Sequence, residues 1–174
     1  MAAKMISNVK PRRGDIIKQC FMANTYTQLN IHVVFAVKGR ENILTAAVRP
    51  ELFKYISGIL TRTNQFSLAV NGYKDHVHMF FALNPVNSLS EIVRIVKANS
   101  SKWINENRLI SGKLSWQEGY GGFSYSRSQR NDVIKYIMNQ EEHHQRKTFR
   151  EEYLNYLKTA EINYNESYVF EFYE

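Results

Sequence analysis

Cysteine is almost missing from these 174 residues: Cys20 stands alone, so no internal disulfide can form. A reducing, cytoplasmic setting is the simple expectation. Long apolar runs are missing too. None approaches the roughly 18 residues needed to cross a bilayer, so no membrane partner is expected. The basic start of the chain lacks the continuous apolar segment of a secretory signal. Proline is scarce, with three in all. Pro50 suits the first turn of a helix and Asn84-Pro85 ends a strand. The glycine-rich run Gly119-Tyr120-Gly121-Gly122 is not followed by Gly-Lys-Ser/Thr, so it is no phosphate loop and reads as a flexible connection.

What is present is an ordinary apolar fraction, 44%, on a chain long enough to bury a real core as one domain. The formal charge is +7 and is unevenly spread. Residues 1–21 carry +4, residues 22–150 carry +8, and residues 151–174 carry −5. A basic body with an acidic tail suits a polyanionic partner, most simply nucleic acid. Residues 1–21 show little apolar periodicity and contain Lys10-Pro11-Arg12-Arg13-Gly14, so they are expected to form a mobile basic extension, with residues 22–174 as the domain.

Periodicity lays out the domain. Residues 28–37 alternate as a strand, with Ile31, Val33, Phe35 and Val37 on one face and His32 and Val34 on the other. His32 reads as a sheet residue able to neighbour whatever lies on that face. Residues 49–63 form a helix with a stripe of Leu52, Phe53, Ile56, Ile59 and Leu60. Strands over 66–72 and 75–83 form a hairpin. A second helix covers 89–108, a short strand follows the glycine-rich loop near 125, and a third helix spans 127–146 behind the capping pair Ser126 and Gln129. A fourth covers 149–158, and the tail from Tyr164 is acidic and aromatic. Strand–helix–strand–strand–helix–strand followed by terminal helices predicts an α+β fold, a ferredoxin-like split βαβ antiparallel sheet.

The stretch Asp75-His76-Val77-His78-Met79-Phe80 organises the rest. On a strand His76, His78 and Phe80 share one face and Val77, Met79 and Phe81 the other, which sets two imidazoles about 6.6 Å apart along the chain. Such a pair is either packed and hydrogen-bonded or a pair of metal ligands. On the third helix Tyr136, Gln140, His143 and His144 gather on one polar side. A glutamine oxygen can complete a His-His-amide triad that leaves coordination positions open, as catalytic metal sites do. A tyrosine beside such an ion can act as a covalent nucleophile. Lys38, Arg40, Arg94, Lys97 and Lys102 are candidate phosphate contacts, the last three on the second helix. A binding module without chemistry is the competing reading, with Tyr26, Phe35 and Tyr73 stacking on bases.

Five segments together resemble the single-tyrosine HUH transposases of small bacterial insertion sequences, of the 200/605 type. They are Ala23-Asn24-Thr25-Tyr26-Thr27-Gln28, His32-Val33-Val34-Phe35, Asp75-His76-Val77-His78, Trp116 through Phe123, and Tyr136 through His144. The resemblance implies that His76, His78 and Gln140 hold a divalent metal, Mg²⁺ or Mn²⁺. It implies that Tyr136 attacks single-stranded DNA and becomes joined to a 5′-phosphate. It also implies a homodimer acting on hairpin-bearing DNA ends, in which Gly119–Gly122 lets the tyrosine helix exchange between subunits. His143 and His144 match the family without an assigned role. Related nickases with three histidines or a second motif tyrosine fit less well, since this chain has Gln140 and only Tyr136 in that helix.

Overall fold

The computed structural model describes residues 26–165 and Val169. The extension over residues 1–21, the start of the first resembling segment, and most of the acidic tail lie outside the described residues. Four strands form one sheet: β1 (Asn30–Ala36), β2 (Phe66–Gly72), β3 (His76–Ala82) and β4 (Gly121–Tyr125). Their order is β2-β3-β1-β4, and every pairing is antiparallel. The helices are α1 (Arg49–Arg62), α2 (Leu89–Glu106), α3 (Arg130–Met138), α4 (Gln140–His143) and α5 (Phe149–Thr159). The α+β, ferredoxin-like architecture expected from the element order is the one observed. No described helix is long and apolar enough to cross a membrane.

Strand alternation divides the molecule in two. Val33 and Phe35 of β1, Val37 just after it, and Val77, Met79 and Phe81 of β3 point to one face. There they pack with Leu52, Ile56 and Leu60 of α1 and Ile92, Val96 and Ile104 of α2 in the main core. Phe35 is wholly buried in it and cannot stack on a base. The intervening residues point the other way, and α3 and α5 cover that face through Val133 and Ile137 and through Phe149, Tyr153 and Leu157.

The register fixes what surrounds the histidines. Ala36 lies opposite His76 and Val34 opposite His78, so the neighbouring strand offers small side chains beside the imidazoles. The turn from β2 into β3 is tight: a Cβ on Gly72 would sit 2.2 Å from the His76 carbonyl oxygen, so only glycine fits. Gly121 meets a similar limit from α5, because a Cβ there would lie 2.8 Å from the Tyr153 ring.

One expected element differs. The helix over 127–146 is two helices with a break at Asn139. Gln129 accepts hydrogen bonds from the backbone and hydroxyl of Ser126, 3.0 and 2.9 Å away, but the helix proper begins only at Arg130. The break comes from β2. Asn71, cross-strand from His78, donates its amide to the carbonyls of Ile137 and Met138 at 3.0 and 2.9 Å. Those are end-of-helix carbonyls that lack an intrahelical partner. The cap ends α3, and α4 restarts with Gln140 turned inward.

Candidate active site

Three elements deliver side chains to one buried point on the α3–α5 face. β3 supplies His76 and His78, both fully buried. The α3–α4 break supplies Tyr136, Gln140, His143 and His144. α5 supplies Glu152, 4% exposed. Glu152 was not singled out by the sequence, yet it stands at the centre. It accepts hydrogen bonds from the Tyr136 hydroxyl and, at 3.1 Å, from the Gln140 amide. Its oxygens also lie 3.5 Å from His78 Nε2, 3.9 Å from His76 Nε2 and 3.1 Å from His144 Nε2.

The imidazoles are held on their other sides. His76 Nδ1 is 2.7 Å from the Asp75 carboxylate, and its ring stacks on Phe149 with centroids 4.0 Å apart. His78 Nδ1 is 2.9 Å from His32 Nε2, so His32 is indeed the neighbour of the pair. His144 stacks on Tyr73, 5.2 Å between centroids, and the Arg49 guanidinium also lies over that ring while pairing with Glu141. Tyr73 is thus a packing residue as well as an aromatic of the hairpin.

Burial sets the charge states. It holds His32 well below the ordinary histidine range, with His78 adding to the effect. Burial also lowers His78, outweighing the pull of Glu152. Both rings are therefore neutral near pH 7, the form in which imidazole binds metal. Burial alone would raise Glu152, but His78, His144 and His76 outweigh it and keep the carboxyl ionised. Tyr136 is pushed upward, first by burial and then by that carboxylate, so it rests as a neutral phenol.

The donor set fits a divalent cation. His76, His78, His144 and Glu152 each offer a ligand atom, and all four atoms lie within 4.8 Å of one another. His78 Nε2 and Glu152 Oε2 are buried without a hydrogen bond among the described residues, although both face this point. Buried polar atoms of this kind call for a partner. Gln140 Oε1 joins them, 3.4 Å from His76 Nε2. Beside the phenol opens a cavity of about 410 Å³ walled by Tyr125, Val133, Tyr136, Glu152 and Tyr156. In this chain the Tyr136 hydroxyl and the ribbon histidines lie about the same Glu152 carboxylate.

The model of the family described as transposase, IS200-like, matches residues 25–140, two thirds of the chain. The chain belongs to this transposase family. Among relatives of the IS200-like transposase described here is the ISDra2 transposase TnpA of Deinococcus radiodurans, 24% identical over 119 residues, which make up 65% of this chain and 84% of that one. A candidate transposase from Deinococcus radiodurans R1, known from a crystal structure, shares the fold with a TM-score of 0.53 at 22% identity, over 76% of this chain and 98% of the other. A REP-associated tyrosine transposase bound to a REP hairpin shares it with a TM-score of 0.52 at 13% identity, over 70% and 72% of the two chains.

The basic candidates of this transposase lie elsewhere. α2 packs on the opposite face of the sheet from the histidines. Arg94 pairs with Glu91 at 2.7 Å and Lys102 with Glu106 at 3.7 Å, both on the exposed surface. Lys97 donates to the carbonyls of Gln117 and Gly119 and so ties down the glycine-rich loop. Lys38 is exposed after β1, and the side chain of Arg40 lies outside the described ones.

Proposed function

We propose that this transposase cleaves and rejoins single-stranded DNA at the ends of a mobile element through a 5′-phosphotyrosine at Tyr136, with a divalent metal at His76, His78 and Gln140. The observation that carries the reading is the convergence of the Tyr136 hydroxyl and the ribbon histidines on the Glu152 carboxylate. A phenol, two imidazoles and an amide N–H around one buried anion have no evident purpose in a binding module.

The step itself balances simply. The Tyr136 phenol passes its proton to the Glu152 carboxylate as its oxygen attacks phosphorus in line and forms a phosphotyrosine ester. The bond to the 3′-oxygen breaks, and that oxygen takes up the proton and leaves as a 3′-hydroxyl. Rejoining is the reverse, with a 3′-hydroxyl attacking the ester and the phenol leaving. The ester conserves the phosphodiester, so no ATP is needed. A cation bound beside Tyr136 supplies Lewis-acid polarisation of a phosphate oxygen and orients the group for in-line displacement. Glu152 accepts the phenol hydrogen bond and aims the oxygen, Gln140 tethers Glu152, and Asp75 and His32 hold the two ribbon rings. The cavity beside Tyr136 is wide and aromatic enough to receive a nucleotide of an unpaired strand.

The same reading makes the functional unit a homodimer and the substrate single-stranded DNA with hairpin ends. The hairpin bound by the REP-associated relative supports the latter. Lys38, Arg40, Arg94 and Lys102 are the phosphate contacts we assign. Those of α2 lie on the far face of the sheet, where a duplex can be gripped away from the strand being cut. The test is a denaturing-gel assay with hairpin-bearing single-stranded DNA and Mn²⁺. Wild type yields a covalent protein–DNA adduct. Tyr136→Phe yields none and still binds the DNA. An adduct in the Phe variant overturns the assignment of the nucleophile.

A further inference from the structure

We propose that His144 and Glu152 are themselves metal ligands, making the centre nitrogen-rich, and that it therefore selects Mn²⁺ and similar transition-metal cations over Mg²⁺. This rests on the metal-dependent reading above and adds to it two ligands beyond Gln140, the last residue the family model matches.

The argument begins with ring protons. His76 Nδ1 faces the Asp75 carboxylate at 2.7 Å, and His144 Nδ1 faces the Lys147 carbonyl at 3.0 Å. Both partners only accept, so in each ring Nδ1 carries a hydrogen and Nε2 is the atom turned to the centre. Those two Nε2 atoms stand 3.1 Å apart, face to face. Gln140 Oε1, another acceptor, is 2.9 Å from His144 Nε2. Glu152 Oε2, a fourth acceptor, is 3.1 Å from the same nitrogen. Four such atoms converge on one point, the arrangement in which side chains hold a cation. A cation at their centre serves all of them.

The spacing agrees. Donors about 2.1 Å from a common ion are roughly 3.0 Å apart at right angles and roughly 3.4 Å apart in a tetrahedron. The closest approaches run from 2.9 to 3.9 Å, and the ligand atoms of His76, His78, His144 and Glu152 all lie within 4.8 Å of one another. Both added ligands are held from behind: the Lys147 carbonyl orients His144 and the Gln140 amide orients Glu152, as outer groups at metal centres do. Three imidazoles and a carboxylate suit first-row transition metals. Mg²⁺ prefers oxygen and gives up its waters reluctantly. On an octahedral ion, His76, His78, His144 and Glu152 leave two positions for Gln140 and a substrate oxygen.

The test uses the full chain freed of metal by a chelator, titrated with Mn²⁺ while free Mn²⁺ is followed by electron paramagnetic resonance. One Mn²⁺ binds per chain, and Mg²⁺ displaces it only at an excess on the order of a hundredfold. Pulsed resonance on the bound ion counts three coordinated imidazole nitrogens in wild type, a reading that needs no variant. His144→Gln lowers the count to two and weakens Mn²⁺ by about tenfold or more. Glu152→Gln weakens Mn²⁺ while the count stays at three. Two imidazoles in wild type, or Mg²⁺ competing at parity, overturns the proposal and leaves the metal-dependent reading standing. No stoichiometric binding of either cation overturns both.

Discussion

The two faces of the sheet are built from the same strands and do opposite work. Toward α1 and α2 the sheet shows valine, methionine and phenylalanine, closed by leucine and isoleucine stripes. Toward α3 and α5 the same β3 backbone shows His76, His78 and Phe80, closed by Glu152, Gln140 and Tyr136. The first face gains from burial, since apolar area leaves water. The second buries polar atoms, some without hydrogen-bond partners, and that destabilises a fold unless a ligand compensates. Alternation along a strand lets one ribbon anchor the fold and carry the chemistry, with neither set of residues intruding on the other.

Separation of this kind can be tested from each side. Phe81→Ala on the apolar face is expected to cost about 4 kcal/mol in chemical unfolding. The molecules that remain folded should still bind Mn²⁺ with unchanged affinity. A loss of metal binding in step with stability would show that the faces are coupled. Gly121→Ala is expected to cost less, about 1–3 kcal/mol, because the new methyl must push Tyr153 aside. Tyr153 follows Glu152 on α5, so here Mn²⁺ affinity should fall along with stability. Gly121→Ala with unaltered Mn²⁺ affinity would remove α5 from the account of the site. Arg94→Ala should have the smallest effect on the fold, with no change in melting temperature, since its pair with Glu91 is fully exposed. Hairpin-DNA affinity should drop, and the salt dependence of binding should lose about one phosphate contact. Unchanged DNA binding would exclude this part of α2 from the DNA surface.

Much of this was legible in the sequence, and what was not has a physical reason. The faces of β1 and β3 follow from alternation; the register, with His32 opposite Phe80 and Val34 opposite His78, then sets His32 diagonally against His78. Tyr136 and Gln140, four residues apart, share a side of a helix, and the break at Asn139 does not separate them. The break itself was hidden because its cause, the Asn71 cap, comes from a strand more than sixty residues earlier. Glu152 was hidden by its neighbours. In Phe149-Arg150-Glu151-Glu152 it looks like one more charge at a helix start, and Glu151 does serve there in a capping box with Thr148. One signal was available. Phe149, Glu152, Tyr153 and Tyr156 fall at the spacing of a single buried stripe, and a carboxylate within such a stripe requires a partner across the interface. His144 was legible as a neighbour of Tyr136 and Gln140 on one polar side, but its approach to His76 was not, because it depends on the Lys147 carbonyl that holds the ring after α4.

The match to the family ends at Gln140, whereas the carboxylate that gathers the site lies on α5, twelve residues further on. The ribbon, the phenol and the amide thus lie inside the matched stretch, and the anion between them comes from beyond it. A chain cut back to the matched stretch would keep each of those side chains and lose the carboxylate on which they meet.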